Sequence, residues 1–121
     1  MDRRVLLILA AALLASAARA GPDDPQLRCG WFTNPTPGNA SLIDKESEWL
    51  IGVQGGRQAD GDWPDFKPSQ WVRTNGPHGY GCACMKVSVD AKEQEITKIH
   101  SASARPLSSC RKDPALKKPG G

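Results

Sequence analysis

From residue 27 onward, hydrophobic positions recur with a period of two, the spacing of strands that bury one face. The clearest stretch is YGCACMKVSVD at 80–90. Ala83, Met85, Val87 and Val89 fall on one face, and Cys82, Cys84, Lys86 and Ser88 on the other. EWLIGVQ at 48–54 reads the same way, with Trp49, Ile51 and Val53 on one face and Leu50 opposite. Shorter strands are predicted at 27–32 (LRCGWF), at 40–44 (ASLID) and around Gln70, Trp71, Val72 and Arg73. Between them, 33–39 carries two prolines and a glycine and predicts a turn or loop. Residues 55–65 are too rich in Gly and Asp for a regular element, and 76–79 is a further turn.

Residues 90–104 admit two readings. Asp90 and Glu93 have capping-box spacing, and Ile96 and Ile99 are three apart, as on a helix. Yet 95–99 is rich in β-branched side chains, and 90–94 suits a hairpin turn after a strong strand, so the hairpin is favoured. Pro106 ends that element and Cys110 pins the tail. The pattern predicts a small all-β domain, or a β-rich one with one short helix: an antiparallel sheet closing toward a barrel or sandwich.

The first twenty residues break the period. Arg3 and Arg4 precede an unbroken apolar run at 5–14, and Ala18 and Ala20 bracket Arg19 with small side chains. That order is a secretory signal peptide cleaved between Ala20 and Gly21. The run is shorter than the roughly 20 residues a spanning helix needs, so no membrane span is expected in the mature chain. The expected division is a signal peptide at 1–20, an extended leader at 21–26, one disulfide-bonded domain at 27–113 and a flexible basic tail at 114–121. The expected destination is the periplasm or the exterior.

Removing that segment changes the charge. The whole chain has formal net charge +3, but the signal carries three arginines and one aspartate, leaving the mature chain at +1. Nucleic-acid binding then loses its electrostatic ground, because it depends on neutralising many phosphates. Arg111, Lys112, Lys117 and Lys118 remain as a basic cluster in the tail, where solvation explains them.

All four cysteines, Cys29, Cys82, Cys84 and Cys110, belong to the mature chain. An even count in an exported domain this small reads as a disulfide framework. Cys82 and Cys84 point from the same face of one strand, which is poor geometry for bonding each other. Two pairings stay open: Cys29–Cys82 with Cys84–Cys110, or Cys29–Cys84 with Cys82–Cys110. Each bond is worth ~3–4 kcal/mol by loop closure. A soft metal such as Cu(I) at the C-x-C pair, with His78 or His100, would leave Cys29 and Cys110 unexplained. A thioredoxin-like centre needs C-x-x-C at a helix N-terminus, a spacing these cysteines do not have. No cofactor is expected.

Four tryptophans are many for so short a chain. Trp49 shares a face with Ile51 and reads as core. Trp63 and Trp71 lie in or beside Pro/Gly-rich loops, where rings can stack on sugars or fill a partner's pocket. With Tyr80 and Trp31 they make the candidate binding residues. Asp60, Asp62 and Asp65 form a D-x-D-x-x-D pattern with Ca²⁺-like spacing but without the bidentate Glu of an EF-hand; ordinary turn chemistry accounts for them. His78 and His100 are the histidines of the mature chain, and neither G-x-S-x-G nor H-E-x-x-H appears. Paired carboxylates such as Glu46 and Glu48 would serve glycoside hydrolysis only across a cleft. The expectation is therefore a non-enzymatic binding or inhibitor-like module acting on an envelope component, a secreted protein or a glycan. The alternative is a structural, envelope-maintenance protein.

A set of ordered motifs adds a resemblance. RCGWF at 28–32 with NPTPGN at 34–39, Glu48-Trp49, QGG at 54–56, DWP at 62–64, GYGCAC at 79–84 and Cys110-Arg111 resembles a family of small exported bacterial proteins known as a domain of unknown function. The resemblance covers roughly residues 27–114. It implies export from a Gram-negative-type cell and brings no activity, ligand or catalytic residue with it.

Overall fold

The computed structural model describes residues 24–119, so the expected signal peptide and its expected Ala20–Gly21 cleavage site lie outside the described residues. Six strands run in chain order: β1 (Gln26–Thr36), β2 (Asn39–Ile43), β3 (Glu48–Gly52), β4 (Trp71–Asn75), β5 (His78–Asp90) and β6 (Glu95–Arg105). A 3-10 turn at Pro68–Gln70 precedes β4, and a short helix α1 (Leu107–Arg111) comes after β6. The sheet order is β1-β2-β3-β6-β5-β4, and a further pairing of β1 with β5 closes five strands into a ring, leaving β4 outside it. The ring is mixed rather than purely antiparallel, because β3 runs parallel to β6. Five strands closed through one parallel pair is the circuit of OB-type barrels, an architecture that hosts many functions and assigns none.

The period-two pattern fills the ring. Phe32, Leu42, Trp49, Ile51, Ala83, Met85, Val87 and Ile96 share one buried cluster, each large side chain contributing roughly 1.5–3 kcal/mol on burial. Trp31, one residue before Phe32, points the other way. It joins Tyr80, Cys82 and Cys110 in a second cluster, against which Ile43, Val72, Leu107 and Leu116 pack. Around Trp31 and Tyr80 both sides of the β1–β5 ladder are therefore covered, one by the ring's interior and the other by α1 and the segment after it.

The parallel seam is the ring's thinnest join, with Leu50 N–H donating to the Gln94 carbonyl at 2.9 Å. Residues 58–60 fill the gap beyond it. Ala59 N–H donates to Ile51 O at 2.8 Å, Asp60 N–H to Thr97 O at 3.1 Å, and Ile99 N–H to Asp60 O at 2.7 Å. Arg57 spans the same join: its guanidinium donates to Ile96 O at 2.8 Å and Ile51 O at 3.3 Å, and lies 3.3 Å from the Glu95 carboxylate.

Three local expectations are corrected. Residues 33–36 are strand, not loop. The register slips between Thr33 and Thr36, where Pro35 has no N–H to give. The Asn34 amide fills in there, donating to Thr36 O at 2.8 Å and Asn39 O at 2.7 Å. The turn shrinks to Pro37-Gly38, with Gly38 at φ 74°. Val53 does not share the core face with Trp49 and Ile51: β3 stops at Gly52, and Val53 is 37% exposed. Finally, β5 begins at His78, so the preceding turn is only Gly76-Pro77.

Residues 90–104 form the expected hairpin. The helix-like spacing of Asp90 and Glu93 serves the turn, with the Asp90 carboxylate accepting the Glu93 N–H at 3.1 Å. Of the two disulfide pairings, the fold contains Cys29–Cys84 and Cys82–Cys110. Cys29 and Cys84 sit directly opposite each other in the β1–β5 register, while Cys82–Cys110 ties β5 to α1.

Candidate functional site: an aromatic groove beside β4

Beyond the seam, the chain leaves regular structure and lays aromatic rings against Phe32. Trp63 lies 5.4 Å from it in an edge-on contact, Phe66 5.7 Å and Trp71 6.3 Å, with Phe66 and Trp71 4.8 Å apart. Phe32 is buried, whereas Trp63, Phe66 and Trp71 are only partly so. The local chain is held by short-range bonds. Gln70 N–H donates to Lys67 O at 2.9 Å, and Lys67 N–H donates back to the Gln70 side-chain oxygen at 3.0 Å. Trp71 Nε1 donates to Pro77 O at 3.0 Å, fixing the indole against the β4–β5 turn. Gly81 makes the close approach possible: a Cβ there would lie 2.5 Å from the Phe66 ring and 2.7 Å from the Gln70 carbonyl.

The result is an open groove of about 350 Å³ lined by Phe32, Trp63, Phe66, Trp71, three prolines (Pro64, Pro68, Pro77), Asn34, Lys67 and Arg73. Its walls are ring faces and proline edges, and its polar groups are two exposed cations and one amide. Such a surface can stack on a sugar face or receive an apolar or proline-bearing side chain, with Lys67 and Arg73 available to a carboxylate. Asn34 is itself positioned, its Oδ1 lying 3.0 Å from His78 Nδ1.

The four proposed binding residues do not form one surface. Trp63 and Trp71 line the groove, but Trp31 is 2% and Tyr80 7% exposed. Trp31 and Tyr80 pack edge to face at 5.2 Å beneath the segment pinned by Cys82–Cys110. Both are binding candidates by sequence; instead α1 closes over them, and no repeating pattern marks a five-residue helix. Trp49 is core, as its strand face implied, at 5% exposed. Phe66, Lys67 and Arg73 were missed as site residues, because a lone aromatic and two surface cations carry no periodic or motif signal.

A second polar cluster also escaped the sequence pattern. The Arg28 guanidinium lies 4.1 Å above the Trp49 ring and 2.7 Å from the Asp44 carboxylate, with Glu46 at 3.2 Å. Burial alone would push the Asp44 carboxyl up. The bond from Arg28 and the N–H groups of Ser47 and Glu46 outweigh it and hold the carboxyl below its usual range. The Trp49 indole N–H adds to that field from beyond bonding geometry, and Trp49 Nε1 has no hydrogen-bond partner among the described residues. This cluster clamps the start of β1 to the β2–β3 turn.

The remaining candidates are placed apart. Asp60 is bonded through its backbone into the seam, and Asp62 and Asp65 are exposed. Among the described residues no three His, Cys, Asp or Glu side chains are grouped to hold a metal. His100 Nε2 is 2.8 Å from Ser88 Oγ, but Ser88 is buried at 4% exposed. All four cysteines are in disulfides. Among the described residues no helix is long and apolar enough to cross a membrane.

Fold and groove together define the class: a small, disulfide-bonded β-barrel with an aromatic groove. A family model described as "Protein of unknown function (DUF4087)" matches residues 23–117. The chain belongs to that family, in agreement with the resemblance drawn from its ordered motifs. No curated protein and no solved structure matches the chain.

Proposed function

We propose that the chain is an exported, non-enzymatic binding module. In this reading the Trp63–Trp71 groove takes an envelope component or a secreted protein in the periplasm or outside the cell. The observation that carries it is the pair of partly exposed indoles set on a Phe32–Phe66 base, beside Lys67 and Arg73. Trp and Arg are among the side chains enriched at the energetic centres of recognition surfaces. Two disulfides suit an oxidising compartment, and the signal-like residues 1–20 supply the route.

The test is affinity capture by the oxidised exported protein from periplasmic and secreted extract. A reproducible partner lost on Trp63→Ala or Trp71→Ala, with each variant still folded and unfolding cooperatively, supports the groove. A partner retained by both variants removes the groove from the reading. The burial of Trp31 and Tyr80 favours a second reading, a structural envelope protein whose aromatic content serves packing. Absence of any captured partner would favour that one.

A further inference from the structure

The two disulfides differ in what surrounds them. Cys82 and Cys110 are 3% and 2% exposed and lie in the cluster with Trp31 and Tyr80. Cys29 is exposed and Cys84 only partly covered. Cys29 also lines a separate groove of about 380 Å³ with Leu27, Arg28, Asp113 and Leu116, and Leu27 is 67% exposed there.

The geometry points to Cys29–Cys84 as a site of thiol–disulfide exchange, taking a dithiol as its reaction partner, while Cys82–Cys110 is a structural staple. This inference is independent of the aromatic groove. Exchange requires a thiolate to approach one sulfur with the other as leaving group, and Cys29 is the accessible half. The incoming thiolate attacks Cys29 Sγ, forms a mixed disulfide there and releases Cys84 as thiolate. The second thiol of the dithiol then attacks its own sulfur in that mixed disulfide and releases Cys29. Two electrons pass from the dithiol to the protein bond, the dithiol closes into its own disulfide, and its two protons end on Cys29 and Cys84.

The fold tolerates the opened state. β1 and β5 remain in continuous register from Gln26–Val87 to Asn34–Gly79, and the Arg28–Asp44 pair still ties β1 to the β2–β3 turn. Exposed Leu27, with the partly buried Leu116 on the same groove beside Cys29, gives a peptide-borne dithiol an apolar footing.

The test treats the oxidised exported protein with limiting dithiothreitol in native buffer, quenches with acid, alkylates and maps the labelled peptides over time. Cys29 and Cys84 should label at least about tenfold faster than Cys82 and Cys110, with near-ultraviolet circular dichroism retained. Equal rates, prior opening of Cys82–Cys110, or labelling of Cys29 and Cys84 only in step with urea unfolding would overturn the assignment. A Cys29→Ser/Cys84→Ser variant should fold and keep Cys82–Cys110, and its failure to fold would equally make Cys29–Cys84 a structural bond.

Discussion

Trp31 and Trp71 both have ring neighbours and both stand near β5, yet they live in opposite circumstances. Trp31 meets Tyr80 edge to face under a helix that a disulfide holds down. Trp71 meets Phe66 on an open groove, its indole N–H spent on Pro77 rather than on solvent. The difference teaches that aromatic content and recognition surface are separate quantities in this fold. Covering the outer face of β1 and β5 takes one cluster of rings, and the other lies partly exposed along the groove.

Replacing the sealed ring should have the largest consequence. Trp31→Ala should cost about 3–5 kcal/mol, as full burial of a large aromatic implies, read by urea unfolding. A loss similar to that of Trp71→Ala would erase the distinction between the two regions. Next comes the staple: Cys82→Ser/Cys110→Ser should cost ~3 kcal/mol and redshift the tryptophan emission as Trp31 gains solvent. Unchanged emission would mean that packing by Leu107 and Leu116, not the bond, keeps that face closed.

A narrower effect lies at the other sealed ring, Trp49, beneath Arg28. Asp44 is only 5% exposed at its side chain, and its folded carboxyl lies below the ordinary value of 3.8. A depressed folded value means that the ionised form stabilises the fold above the unfolded value, a contribution lost as pH falls through the folded one. Wild type should therefore weaken on acidification below about pH 4. Asp44→Asn should be less stable at neutral pH and flatter across that acid range. Parallel acid profiles for the two would remove Asp44 from the account. The smallest stability change is expected at the groove: Trp63→Ala and Trp71→Ala should each cost roughly 1–2 kcal/mol, because those rings are only partly buried.

The barrel's inner wall was readable in the sequence because one strand face obeys a strict alternation. Ala83, Met85, Val87 and Val89 were legible for that reason, and so was the β5–β6 hairpin. The parallel closure of β3 on β6 was not, since it rests on main-chain bonds of residues 58–60 and on Arg57, none of which leaves a periodic trace. Pro35 misled for a physical reason: a proline normally ends a strand, but here Asn34 supplies the missing donor. The two usable tryptophans were visible as loop aromatics, whereas separating them from Trp31 and Tyr80 required knowing where α1 lands.

Hydroxyl-radical footprinting of the oxidised protein, alone and with periplasmic and secreted extract, tests the central claim most directly. Alone, Trp63 and Trp71 should oxidise readily while Trp31 and Trp49 stay protected, and the extract should protect Trp63 and Trp71. Oxidation at Trp63 and Trp71 that the extract leaves unaltered, or protection that appears elsewhere on the barrel, would contradict the groove as the proposed binding site.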